Sequence, residues 1–187
     1  MHCQKLGIAA NLGNKVVCRQ TFAHSSYAVI GAQAKDGAWD ALPNADYWSS
    51  VLWRRLVGTK VLSVQGGLDP GRALRAYAFC TAVAKGGLTV VVLNTHSNDT
   101  SLHLELTSSA RPAAAEVYML SSYPGLLTSR DVFLNDNVLR LANATTGELP
   151  PLLPVHVVAG APIRVPAKSY GFIVLRDAGV QVCGAQN

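Results

Sequence analysis

Two hydrophobic periods divide this 187-residue chain. Trp48, Val51, Leu52 and Leu56 recur at i, i+3, i+4 and i+8, the spacing that lines one face of a helix. Asp46 is placed to cap the first turn, and Gly58 to close the helix in a left-handed conformation. Upstream, residues 16–22 read as a buried strand, and a Gly/Ala-rich loop over residues 31–40 leads towards the helix. Strand, long loop and helix followed by a switch to period two is how the last β/α pair of a (β/α)8 barrel would end before a β-sandwich.

Past residue 58 short strands alternate with Gly, Pro and Asn turn signals. They are predicted at 60–64, 74–80, 88–93, 102–106, 116–120, 131–134, 138–141, 155–158, 163–165, 170–175 and 180–183. In 102–106 three leucines alternate with His103 and Glu105, and Asn135-Asp136-Asn137 joins two of the strands. The expectation is a mainly β chain: an antiparallel β-sandwich over residues 59–187, preceded by the last strand–helix unit of an incomplete barrel in residues 1–58. No helix is predicted in 60–187.

With 49% apolar and 14% charged residues the composition excludes a disordered chain. The longest apolar runs fall far short of the ~20 residues that span a bilayer, so no transmembrane segment is expected here. Residues 1–5 carry no secretory leader pattern. The net charge of +5 suits an acidic polymer, yet the longest basic run is Arg54-Arg55, which fits an ordinary basic surface better. No basic stripe interleaved with aromatics or nucleic-acid motif is present, so nucleic acid is not an expected partner. His2, His24, His96, His103 and His156 lack metal-ligand spacing, and no phosphate loop or dinucleotide fingerprint occurs; neither a metal nor a cofactor is expected.

Several blocks carry a family resemblance: RQTF (19–22), Ser26-Tyr27, LPNADYW (42–48), LVGTKVLSVQG (56–66), LRAYAFC (74–80), LTVVVLNTHSNDT (88–100), LLTSRDVFLND (126–136), LPPL (149–152) and VPAKSYGFIVLRDAGVQVC (165–183). In collinear order they resemble the C-terminal portion of the heparanase family, endo-β-glucuronidases of glycoside hydrolase family 79. The resemblance implies a piece of a retaining enzyme acting on acidic polysaccharides or glucuronides. It places both catalytic glutamates, and a signal peptide, upstream of this chain on a longer one. Its remaining barrel strands would then be partners of residues 1–58.

The carboxylates agree with that implication. Retaining glycosidases set two carboxyl groups about 5–5.5 Å apart. The three glutamates here, Glu105, Glu116 and Glu148, all fall in the sandwich region. Of the acids before residue 58, Asp46 serves better as a helix cap, and Asp36 and Asp40 lie in a loop that reads as exposed. No catalytic residue is therefore assigned. The resemblance places substrate contacts at Gln20 and Tyr27. An amide can donate to and accept from sugar hydroxyls, and a tyrosine offers a ring and a hydroxyl to a uronate. The alternative is that Gln20 hydrogen-bonds within the rim and Tyr27 packs on it. Before the tyrosine the chain has His24-Ser25-Ser26 where the family has glycines, which changes the backbone approach to a carboxylate. Trp48 and Trp53 read as helix packing rather than as a sugar platform.

Four cysteines allow three two-bridge pairings. The resemblance implies a bridge between Cys80 and Cys183, leaving Cys3 and Cys18 as free buried thiols. Asn98 and Asn143 open glycosylation sequons in predicted loops. Together these features point to the secretory pathway: extracellular, lysosomal or vacuolar, or peripherally membrane-associated. Three functions remain: part of a glucuronidase, a relative that binds acidic glycans without cleaving them, or a free-standing β-sandwich carbohydrate-binding module. The orphan strand–helix unit argues against the last.

Overall fold

The computed structural model describes residues 2–23, 25, 27–35, 38–65, 73–106, 112–123, 126–158 and 160–184. Helix α1 (His2–Asn11) leads into a stretch without regular structure that ends at the hairpin β1 (Ile30–Lys35) and β2 (Ala38–Pro43). Helix α2 (Ala45–Leu56) runs directly into β3 (Val57–Leu62). There follow β4 (Leu74–Thr81), β5 (Leu88–Asn94), β6 (Thr100–Leu102), β7 (Ala114–Ser122), β8 (Val132–Leu134), β9 (Asn137–Val138), β10 (Val155–Val158), β11 (Ile163–Val165), β12 (Ser169–Leu175) and the one-turn α3 (Gln181–Gly184).

Eight strands form one antiparallel sheet in the order β3-β4-β5-β12-β7-β8-β9, with β10 also paired to β7. A separate antiparallel pair, β6 and β11, covers part of it. The period of two sorts the strand side chains onto two faces. Tyr77, Phe79, Val91, Leu93, Leu120, Phe172 and Val174 share a core with Trp48, Leu52 and Leu56 of α2 and Cys3 of α1. Ala78, Val90, Val92, Val117, Ile173 and Leu175 share the opposite core with Ile163 and Val165 of β11. Burial on both faces explains why β5, apart from Thr89 and Asn94, reads as apolar throughout rather than alternating.

Helix α2 docks through the face its period predicts. Trp48 and Leu52 are both 1% exposed, and each such side chain contributes about 1.5–3 kcal/mol by leaving water. Trp53 meets Phe79 and Phe172 edge-on, with ring centroids 5.3 and 6.3 Å apart, so both helix tryptophans are packing residues.

Cys80 and Cys183 are disulfide-bonded, their Cα atoms 5.3 Å apart, which ties the last helix to the end of β4. Asn135 and Asp136 both have positive φ, 48° and 66°, as a two-residue hairpin turn between β8 and β9 requires. Asn135 suits it because its amide also donates to the Val117 carbonyl at 2.9 Å and accepts from Met119 N–H at 2.9 Å.

Several local expectations are corrected. Residues 16–22 form no strand, because a strand needs a ladder partner and contact with β1 is limited to Ile30, whose N–H bonds Phe22 O and which bridges Ala23. The expected loop at 31–40 contributes to the β1–β2 hairpin, with Asp36 and Gly37 outside the described residues. Gly58 lies in β3 rather than at a left-handed cap, and its lack of a side chain serves a close approach. A Cβ there would stand 2.5 Å from the Cys80 carbonyl oxygen. Regular pairing in 102–106 ends at Leu102, in 138–141 at Val138, and 180–183 coils into α3 instead of forming a strand. The loop expected at 66–71 lies outside the described residues.

Candidate functional site

Gln20 and Tyr27 sit on the irregular segment between α1 and β1, which is fastened to the start of α2. Arg19 does most of the fastening: its Nη2 reaches the Asp46 carboxylate at 2.7 Å and also donates to the Tyr27 carbonyl. Asn44, at the N-cap position of α2, donates through Nδ2 to the Ala28 carbonyl at 2.7 Å, and its backbone N–H bonds Val29 O at 3.0 Å. The expected cap role of Asp46 is therefore not what the structure shows. Asp46 occupies the first turn, where a negative charge still suits the helix dipole, and spends its carboxylate on Arg19.

The segment folds back on itself. Val29 N–H bonds Thr21 O at 3.3 Å, Ile30 N–H bonds Phe22 O at 2.8 Å, and Ala23 bridges Ile30 in parallel. Residues 21–23 thus lie beside 29–30, with Gln20 and Tyr27 on the two arms that lead into this contact. Tyr27 is 51% exposed, and Gln20 is exposed with no side-chain hydrogen bond among the described residues. His24 and Ser26 lie outside the described residues.

Behind the rim is a buried polar group of side chains. Ser49 Oγ lies 2.8 Å from Tyr170 Oη and donates to Ala45 O at 2.7 Å. Burial drives the Cys3 thiol up to about 12 and raises the Tyr170 phenol above its ordinary value, so both stay neutral. Partial burial lowers His2, opposed by the nearby Asp46 charge. Cys18, in contrast to the expected buried thiol, is exposed.

The acids are spread out and taken up by arginines. Asp99 pairs with Arg164 at 2.7 Å, Asp131 with Arg140 at 2.6 Å, and Glu116 with Arg176 at 2.6 Å. Glu105 and Glu148 are exposed on separate loops, and Asp36 lies outside the described residues. No group of three or more His, Cys, Asp or Glu side chains among the described residues is arranged to hold a metal. Asn98 and Asn143 are both exposed; the Asn143 Oδ1 accepts from Thr145 N–H at 2.9 Å. Sequence reasoning missed Arg19 and Asn44, which position the rim. Arg19 adjoins Gln20 in RQTF, but its partners are 8 and 27 residues away and no local period marks them.

The thermostable GH51 α-L-arabinofuranosidase from Thermotoga petrophila RKU-1 superposes on 92% of this chain and 36% of its own, with a TM-score of 0.60 at 13% identity. The GH51 arabinofuranosidase from Xanthomonas axonopodis pv. citri covers 91% of this chain and 34% of its own, with a TM-score of 0.54 at 14% identity. Both share the fold alone. No protein-family model matches the chain. Mouse heparanase is 36% identical over 98% of the chain and 34% of its own length. Baicalin-β-D-glucuronidase of Scutellaria baicalensis is 34% identical over 91% of the chain and 30% of its own length. Mouse inactive heparanase-2 is 33% identical over 95% and 31% respectively. The chain is thus a glycoside hydrolase relative of the heparanase-like kind, matching the C-terminal portion of such proteins. It spans about a third of the length of these curated relatives.

Proposed function

We propose that this chain is the C-terminal part of a heparanase-like glycoside hydrolase that cleaves β-glucuronosyl linkages in acidic glycans by a retaining, two-glutamate mechanism. The observation that carries the reading is similarity over nearly the whole chain to proteins named heparanase and baicalin-β-D-glucuronidase. The acid and the nucleophile come from barrel strands upstream, since the described carboxylates here are scattered or paired to arginine. Gln20 and Tyr27 contribute substrate contacts, the amide to sugar hydroxyls and the phenol to the uronate carboxylate. Residues 1–58 belong to the barrel and 59–187 to the sandwich, with α2 as the joint between them.

The disulfide fits an oxidising compartment, and no helix among the described residues is long and apolar enough to cross a membrane. We place the protein in the secretory pathway, extracellular, lysosomal or membrane-associated at the periphery, with Asn98 and Asn143 as glycan acceptors.

A second reading, a non-catalytic binder of acidic glycans, is favoured by the comparable similarity to inactive heparanase-2. A free-standing carbohydrate-binding module fits less well, because it leaves Val16 and Val17 exposed with no ladder beside them among the described residues. Assay of an aryl β-glucuronide and of heparan sulfate, with the 187-residue chain and with a version carrying the upstream barrel, separates these. Turnover is expected only with the barrel present. Binding without turnover in the longer protein favours the second reading. Turnover by the short chain that survives Gln20→Ala and Tyr27→Phe overturns the first.

A further inference from the structure

A cleft of about 270 Å3 opens between the β2–α2 junction and the β8–β9 hairpin. Its lining joins the apolar side chains of Leu42, Pro43, Leu139 and Leu141 to the guanidinium groups of Arg130 and Arg140. The two arginines differ. Arg140 is already satisfied, donating to Asp131 Oδ1 at 2.6 Å and to its neighbour's carbonyl, Leu139 O, at 2.9 Å. Arg130 forms no ion pair with the described residues. The cleft therefore holds one uncompensated positive charge.

Its location matters as much as its charge. Arg130 Nη1 would lie 3.4 Å, and the Asn44 side-chain nitrogen 3.1 Å, from a Cβ built on Gly31. Arg130 and Asn44 thus both approach the bare backbone of Gly31. Asn44 in turn holds the Ala28 carbonyl, one residue from Tyr27. The cleft and the rim are neighbours linked through Asn44.

A guanidinium fork recognises planar or tetrahedral oxyanions by paired hydrogen bonds, and adjacent apolar side chains accept a sugar's C–H face. The volume lies just below the ~300–1,000 Å3 usual for pockets that enclose a drug-sized ligand, which suits a single sugar unit. We propose that this cleft is a subsite for one anionic sugar, with Arg130 binding its carboxylate or sulfate ester and Leu139 and Leu141 covering its ring. The proposal rests on the acidic-glycan reading and extends it to a second contact point beside the rim.

Calorimetric titration of the intact chain with three tetrasaccharides tests it: heparin-derived, the same desulfated but still uronate-bearing, and neutral cellotetraose. Arg130→Ala should weaken binding of the acidic probes at least tenfold and leave cellotetraose unchanged. Loss confined to the sulfated probe assigns the sulfate ester, and loss with both assigns the carboxylate. Ala144→Trp, which fills the cleft without altering charge, should reproduce the loss, and Arg130→Lys should recover part of it. Unchanged affinity in both Arg130→Ala and Ala144→Trp overturns the subsite, as does failure of the wild-type chain to prefer acidic probes. If Gln20→Ala and Tyr27→Phe weaken binding while those two do not, the rim reading survives and the cleft falls. If only the cleft variants weaken binding, the cleft stands and the rim assignments fall.

Discussion

Val91 and Val92 are 0% exposed, whereas Val16 is 75% and Val17 36% exposed. All four lie in apolar runs of strand-like composition, and the local sequence does not separate them. The difference lies in what stands beside them. Val91 and Val92 pair with β4 on one side and β12 on the other, and both faces of their sheet are covered. Residues 16–17 have no ladder and no covering layer among the described residues. β-propensity records a fit to a pleated, half-buried surface, and without that surface it produces no strand.

The largest effect should come from the bond that closes the sheet region. Replacing Cys80 and Cys183 by serine opens a loop with a sequence separation of 103. Stability measured by urea denaturation should fall by up to ~4–5 kcal/mol in the chain-entropy model. A midpoint that does not move would mean the sheet holds together without its covalent tie. Next, Leu93→Ala, at a 0% exposed position, should cost ~2–5 kcal/mol, against no more than ~0.5 kcal/mol for Val16→Ala. Equal losses in the two variants would break the comparison.

A smaller, pH-dependent effect resides on β7. Hydrogen bonds from Arg176 hold the Glu116 carboxyl below the ordinary glutamate range, against the opposing pull of partial burial. Because the folded value is the lower one, the stabilisation is complete above the unfolded value near ~4.3 and is lost as pH falls through the folded value. Thermal stability should drop as the solution is acidified through that window, and Glu116→Gln should flatten the drop. An unaltered profile in Glu116→Gln would assign the acid sensitivity elsewhere.

The smallest effect concerns the rim. Arg19→Ala removes a partly exposed ion pair worth ~0.2–1 kcal/mol, so global stability should barely change. Proteolysis should respond more clearly: trypsin should cut after Lys15 first in the wild type and faster in Arg19→Ala, leaving β4, β5 and β12 intact. First cuts after Arg75, inside β4, would invert the contrast between the two regions.

The identity of most sheet strands, the α2 face and the Asn135-Asp136 turn could be read from local spacing, because each depends on contacts within a few residues or on one buried side. Gln20 and Tyr27 were singled out only through resemblance, since nothing in their neighbourhood distinguishes a ligand contact from a packed residue. Asp46 and Gly58 show how a correct residue can have a different reason. An acid at a helix start reads as a cap until Arg19 claims it, and a glycine at a helix end reads as a turn until the Cys80 carbonyl approaches it.

By itself the sequence determined a mainly β chain entered through helix α2, the faces that would be buried and the family whose blocks it repeats. Periodicity and collinear motifs are one-dimensional, so they survive without coordinates. Only the tertiary structure decided that residues 16–22 form no strand, that 180–183 turn into a helix, that Arg19 reaches Asp46 and Tyr27, and that Asn44 and Arg130 both approach Gly31. Those outcomes depend on partners tens of residues away. A ladder, an ion pair and a cleft each require two surfaces, and a local pattern describes only one of them.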